Sequence, residues 1–286
     1  MTEPGVSATA LMIAAARAIE TNRPDGLIRD EWAERFVRAG AVDLPTRIED
    51  VEQGDADPLW GRGGAYSGLR TRVFDDFLLA ASKTVTQAVL LGSGLDSRAW
   101  RLDLPAGLRF FELDRTDVLG FKRRVLAGAA PRVRHEFLVA DLTDDWAAVL
   151  TDAGFEPGEP TAWLVEGVLP YLSGAAEARL MATVDRLSAP DSQIGYEIVL
   201  GQEDESLRSH DLYAATEAGT GTNIGRLFDD GTRPDSAASL RAAGWTVTSS
   251  PVADFTTRYG RGPDPTVDDP IAQIRWVMGS KPVRTA

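Results

Sequence analysis

From Thr86 onward the chain alternates short apolar runs with helical segments, and this alternation constrains the fold more than any other feature. The runs fall at residues 88–91, 109–113, 136–139, 163–165, 194–199, 245–249 and 271–278. Helical patterns fill 117–127, 143–150 with Thr143 as N-cap, 175–187, and 235–243 with Asp235 as N-cap and Gly244 just past its end. Strands that alternate with helices form βαβ units, hence a mostly parallel sheet covered on both faces. The last two runs are joined by residues 259–270, which are too rich in Gly and Pro for a crossover helix. That predicts an antiparallel partner at the end. The expected fold is α/β and Rossmann-like: seven strands, one reversed near the edge. Residues 201–234 fit no strand and read as a helical insertion near the top of the sheet. The first 85 residues read as a helical cover, with helices at 7–20 (Ser7 as N-cap), 30–39 and 69–82 and a glycine-rich loop at 55–68. The chain thus reads as one domain, with cover 1–85, core 86–200, insertion 201–234 and final strands 235–286.

Composition narrows the chemistry. There is no cysteine among the 286 residues, which excludes disulfides, thiolate zinc sites and cysteine nucleophiles. The net charge of −13 disfavours a phosphate backbone as partner, so no nucleic acid is expected. No apolar run approaches the ~20 residues that span a bilayer. The apolar stretch 8–16 lacks a preceding positive charge and has Glu3 in its place, so it reads as helix rather than signal peptide, and the expected location is cytoplasmic. With two histidines and no His pair at helical spacing, a metal site is not expected. His135, at a strand start, reads as structural.

The site-bearing stretch is AVLLGSGLDSRAWRLDLPAGLRFFELD, residues 88–114. A buried strand ends in Gly92-Ser93-Gly94, where glycines let the backbone turn tightly and approach a ligand. The next strand ends in Glu112-Leu113-Asp114, and Asp114 stands 20 residues after Gly94, the spacing of an acid that accepts from ribose hydroxyls. A dinucleotide site would want a third glycine, but that position holds Ser97. Asp96 sits poorly beside a pyrophosphate and well beside a neutral or cationic ligand, such as a sulfonium nucleoside; it could equally cap the helix that starts at Ser97. A nicotinamide-dependent oxidoreductase remains an alternative at this level.

The string LGSGLDSRAWRL…FFELD…VLGFKRRVL resembles the leucine carboxyl methyltransferase-like family of S-adenosyl-L-methionine (SAM)-dependent methyltransferases, in its actinobacterial branch. VSATALMIAAARAIE, RTRVFDDFL, ADLTDDW and WLVEGVLPYLS resemble further blocks of that family in its order. The resemblance spans roughly residues 6 to 200 and implies a class I methyltransferase fold with SAM as cofactor. It implies that Gly92 and Gly94 lie against the methionine part of SAM. Arg72, with Arg70 as alternative, would bind the SAM carboxylate, since an arginine fork suits a carboxylate. Asp114, with Glu112 competing, would hold the ribose. Asp141 and Leu142 would contact the adenine, and Glu166 and Tyr171 would border the methyl-transfer region. The family's lysine in the first helix has no counterpart here, and Arg17 is the cation that could compensate. The implied activity is O-methylation of a small organic acceptor, with a carboxylate favoured because it needs no general base at pH 7. A phenol or alcohol acceptor, or SAM binding without catalysis, stays open at this point. The oligomeric state is not legible.

Overall fold

The computed structural model describes residues 8–40 and 43–283. Ser7, the expected first cap, lies outside them. Helices α1 (Ala8–Asn22), α2 (Glu31–Ala39) and α3 (Gly64–Ala81) form the N-terminal cover. The remaining elements follow as β1 (Gln87–Leu91), α4 (Arg98–Arg101), β2 (Arg109–Asp114), α5 (Thr116–Val125), β3 (Arg134–Val139), α6 (Trp146–Asp152), β4 (Thr161–Val165), α7 (Gly174–Leu187) and β5 (Gln193–Val199). The insertion carries α8 (Glu205–Arg208) and α9 (Asp211–Thr220). After it come α10 (Ser236–Ala242), β6 (Thr246–Pro251), α11 (Val252–Tyr259) and β7 (Ile274–Ser280).

The seven strands lie in the order β3-β2-β1-β4-β5-β7-β6. β1 to β5 pair in parallel, while β7 runs antiparallel to both β5 and β6. The reversed strand therefore lies one in from the edge. Because successive side chains leave a strand on opposite faces, β1 feeds two cores. Ala88 and Leu90 pack with Phe110, Leu164 and Trp276 beneath α1, α3 and α5. Val89 and Leu91 pack with Phe111, Trp163 and Val165 beneath α6, α7 and α10. Every residue of β1 and β4 is buried, as expected for interior strands covered on both sides.

Three expectations are corrected. Residues 55–68 are not a loop: Asp57 accepts from the amides of Leu59 and Trp60, a π-type turn runs over Pro58–Gly63, and α3 starts at Gly64. Two of the four glycines there, Gly61 and Gly68, serve close packing. A Cβ on Gly61 would lie 2.3 Å from the Asp55 carbonyl, and one on Gly68 2.6 Å from Glu20 Cγ. Thr143 is not a helix cap: it binds Asp141, and Asp145 caps α6 by accepting from Ala148 N. Finally, α11 lies between the last two strands, and residues 270–273 form a 3-10 turn ahead of β7 rather than its beginning. Among the described residues no helix is long and apolar enough to cross a membrane.

Candidate active site

The sheet order reverses between β1 and β4, which opens a crevice at the carboxyl ends of the strands. A cavity of about 520 Å³ occupies it, walled by the ends of β1 to β4, by α1, α3 and α4, and by Ile224 and Leu227 of the insertion. That volume is in the range of small-molecule and cofactor sites. After β1, the amides of Gly92 and Ser93 donate to the Leu113 carbonyl at 2.9 and 3.0 Å, tying the turn to β2. Gly92 (φ +71°) and Gly94 (φ +51°) both lie in the left-handed region. A Cβ on Gly92 would meet Val168 at 2.5 Å, while Gly94 has open space around it, leaving bare backbone toward the cavity.

Asp114 closes β2. Its carboxylate accepts from Gly94 N at 2.6 Å and Arg115 N at 2.7 Å. Burial pushes its carboxyl above the ordinary value, against the pull of those two amides. Past β3, Asp141 accepts from the hydroxyl and amide of Thr143 at 2.7 and 2.8 Å, and these bonds hold it below the ordinary value. Leu142 follows it along the wall.

The floor is one continuous ion network. Arg98, only 2% exposed, reaches Asp75 at 2.7 Å, Glu166 at 2.8 Å, and Asp96. Arg101 binds Asp75 at 2.6 Å, and Arg17 binds Asp30 at 2.9 Å and the Leu95 carbonyl at 2.6 Å. Arg70 Nη1 donates to Glu197 at 2.9 Å, and its Nε lies 2.9 Å from Glu166 but is out of line for a hydrogen bond. Burial alone would lower the Arg70 and Arg98 pKa values and raise those of Asp96 and Glu166. The mutual attraction outweighs it, so both arginines are raised and both acids lowered.

A second cavity of about 130 Å³ adjoins the first and shares Ile13, Arg70, Gly167, Tyr171 and Ile224 with it. Tyr171, 39% exposed, borders both. The protein packed around its phenol pushes the pKa up to about 12, so it is a neutral donor at pH 7. Phe228 of the insertion stands edge-on to Tyr171 and Tyr213, with ring centroids 5.5 and 5.2 Å away.

Of the residues expected from sequence, Arg70, Gly92, Gly94, Asp96, Asp114, Asp141, Leu142, Glu166 and Tyr171 all wall the large cavity. Arg72 and Glu112 do not. Arg72 points away, bonds Asp76 at 3.1 Å and lies over the Tyr259 ring at 5.4 Å. Glu112 is fully buried within β2 and pairs with Lys122 and with His135 at 3.0 Å. Asp96 lines the cavity and also accepts from Arg98 N, the first residue of α4, at 2.7 Å. The network residues Arg98, Arg101 and Glu197 were not legible as site residues. The nearest signal is a pair of arginines set in the otherwise apolar turn RAWRL. Neither histidine borders either cavity. His135 packs against Trp100 and Phe137, and His210 caps α9.

A doubly wound sheet with a glycine turn after its first strand and an acid closing its second is the arrangement of the class I SAM-dependent methyltransferases. A structure from Thermobifida fusca, provisionally named a methyltransferase, shares the fold with a TM-score of 0.56 at 16% identity, covering 95% of this chain and 94% of that one. A DUF574 family protein from Streptomyces avermitilis does so with a TM-score of 0.53 at 14% identity, covering 87% of this chain and 96% of that one. The chain belongs to the leucine carboxyl methyltransferase family, whose profile matches residues 10–185. A Streptomyces coelicolor protein, provisionally named an S-adenosyl-L-methionine-dependent methyltransferase, is 50% identical over 285 residues, 98% of this chain and 94% of its own length. A protein of Mycolicibacterium gilvum with the same provisional naming is 39% identical over 295 residues, covering 96% of this chain and 95% of its own length. The enzyme is thus a SAM-dependent methyltransferase, and the nicotinamide alternative is set aside.

Proposed function

We propose that the enzyme methylates a carboxylate oxygen of a small organic acid, with SAM in the large cavity. The observation that carries this reading is that, among the described residues, no free base stands at the cavity junction. Glu166 and Glu197 are tied by arginines, Tyr171 is a neutral phenol at pH 7, and neither histidine is near. A carboxylate is already ionised and needs none.

The residues present fit SAM. The ion network joins four arginines, Arg17, Arg70, Arg98 and Arg101, to five carboxylates, Asp30, Asp75, Asp96, Glu166 and Glu197. One excess negative charge complements the net positive charge of SAM. The bare backbone at Gly94 admits the methionine chain. Arg70 takes the amino-acid carboxylate, and Glu166 accepts from the ammonium. Asp114 accepts from the ribose hydroxyls, while Asp141 accepts from the adenine amine and Leu142 covers the ring. Tyr171 donates to the non-reacting oxygen of the acceptor. When bound, SAM would supply an electrophilic methyl group whose carbon–sulfur electron pair can leave on sulfur, and an acceptor carboxylate, already ionised, would have no proton to give up. The chain's contribution is alignment and exclusion of water, which can supply several kcal/mol.

Incubation with SAM and matched sets of acids and phenols, read by mass spectrometry, tests the reading. Methyl esters are expected; methyl ethers with no ester would overturn it. Asp114→Ala is expected to weaken SAM binding by about 1 kcal/mol or more, the scale of a lost buried hydrogen bond. Calorimetry with unchanged affinity would remove Asp114 from the site.

A further inference from the structure

We infer that the second cavity is the acceptor site and that it selects a compact acceptor, whose apolar body is one ring or a branched chain of similar size. The inference rests on the methyltransferase reading above for the identity of the neighbouring ligand. Three observations carry it.

First, the cavity joins the large one where the two share Arg70, Gly167 and Tyr171, so an acceptor seated there presents its oxygen to the large cavity. Second, its walls are apolar or aromatic almost throughout, with Met12, Trp60, Tyr213 and Phe228 among them. The charged residues that line it are Arg70 and Glu197, which neutralise each other at 2.9 Å. Glu197 is held further by the Tyr66 hydroxyl at 2.5 Å and the Trp276 indole at 3.3 Å, so both its oxygens are occupied. A second charge on the acceptor body would find no partner there, and a buried unpaired charge is costly. Third, the volume is about 130 Å³. A cavity of about 150 Å³ with apolar walls accommodates benzene. A fused bicyclic body exceeds that space, and interiors packed at crystal-like density yield little.

Gly63 offers a clean test. It lines the second cavity and has ordinary helical dihedrals, φ −65° and ψ −35°. A Cβ there would meet nothing nearer than the Pro58 carbonyl at 3.5 Å, so a side chain at this position extends without backbone strain. The wild-type enzyme, Gly63→Phe and Met12→Ala are assayed with SAM against benzoate, phenylacetate, 3-methylbutanoate, 1-naphthoate, phthalate and the phenols of matching shape. SAM affinity is measured separately by calorimetry. The wild type is expected to prefer the monocyclic or branched acids over naphthoate and phthalate by at least tenfold in kcat/KM. Gly63→Phe is expected to lose at least tenfold on those acids with SAM affinity within twofold. Met12→Ala is expected to gain at least tenfold on naphthoate relative to benzoate. Wild-type preference for naphthoate or phthalate overturns the inference, as does unchanged acceptor kinetics in both variants, or no turnover of any compound. Methylation of monocyclic phenols alone, blocked by Gly63→Phe, overturns the carboxylate reading but upholds the cavity as the acceptor site.

Discussion

Arg98→Met will lower the unfolding free energy by about 3–5 kcal/mol, the range for removing one partner of a buried ion pair. In a chain of this size that corresponds to a fall in melting temperature on the order of 10 °C. Arg98 is 2% exposed and satisfies three carboxylates, Asp75, Asp96 and Glu166, as well as the Thr71 carbonyl. Methionine fills similar space but leaves those carboxylates short of a cation in a region shielded from water. Arg101 keeps two hydrogen bonds to Asp75 and Arg70 keeps its contact with Glu166, whereas Asp96 loses the one cation that pairs with it among the described residues. The same network fixes the pH dependence. Asp30, Asp96 and Glu166 have folded pKa values below their ordinary ones. Their stabilisation is therefore fully present above the unfolded values, about 4, and is lost as pH falls through the depressed folded values. Calorimetric scans from pH 7 to 3 should show a steep loss below about pH 4 in the wild type. They should show a shallower one in Arg98→Met. Equal slopes, or a loss of less than 1 kcal/mol, would show that the network does not stabilise the fold.

Arg70→Gln will lower kcat/KM by at least about 100-fold, equivalent to about 2.7 kcal/mol at the transition state. Arg70 is the cation common to both cavities, and it separates Glu166 from Glu197. Glutamine keeps a donor and loses the charge, so the two carboxylates repel each other and any incoming carboxylate. The control is Arg72→Ala. Its side chain is 40% exposed and its ion pair is a surface one, worth about 1 kcal/mol at most. The control should leave SAM affinity and turnover within twofold. Losses confined to Arg72→Ala would reverse the assignment.

The choice between these two arginines marks where sequence reasoning stops. Residues two apart on a helix project about 200° apart. Both faces of α3 bury side chains, so no polar stripe identifies the outward one. The sheet was legible because its signals are local. Runs such as AVLL and WLV are buried on both faces, and Gly94 and Asp114 sit at fixed offsets from strand ends. The Glu112–Asp114 choice was not local: Glu112 is claimed by Lys122 and His135, 10 and 23 residues away. The glycine-rich 55–68 stretch misled because glycine marks both turns and close helix packing, and only the position of Glu20 and Asp55 separates the two. The family blocks pointed, by their order, to residues that wall the large cavity. The second cavity draws on Glu197, Tyr213 and Phe228, which lie beyond residue 185, where the family match ends.

Both ends of the insertion are anchored to the same short turn, Leu169–Tyr171, and to the residue after it. Gln202 donates to the Pro170 carbonyl at 2.8 Å, Asp229 N donates to that same carbonyl at 2.9 Å, and Arg233 reaches the Leu169 carbonyl at 2.8 Å and that of Leu172. The segment between is a closed loop whose base is defined without its tip. Lengthening such a loop costs little, about 0.6 kcal/mol for each doubling. Its interior can therefore be rewritten, and with it Tyr213 and the neighbours of Phe228, while the glycine turn and the ion network stay as they are. On the acceptor reading proposed above, such rewriting would change what is methylated, and Ile224 and Leu227, which also wall the large cavity, mark the part of the insertion that the methyl donor constrains as well.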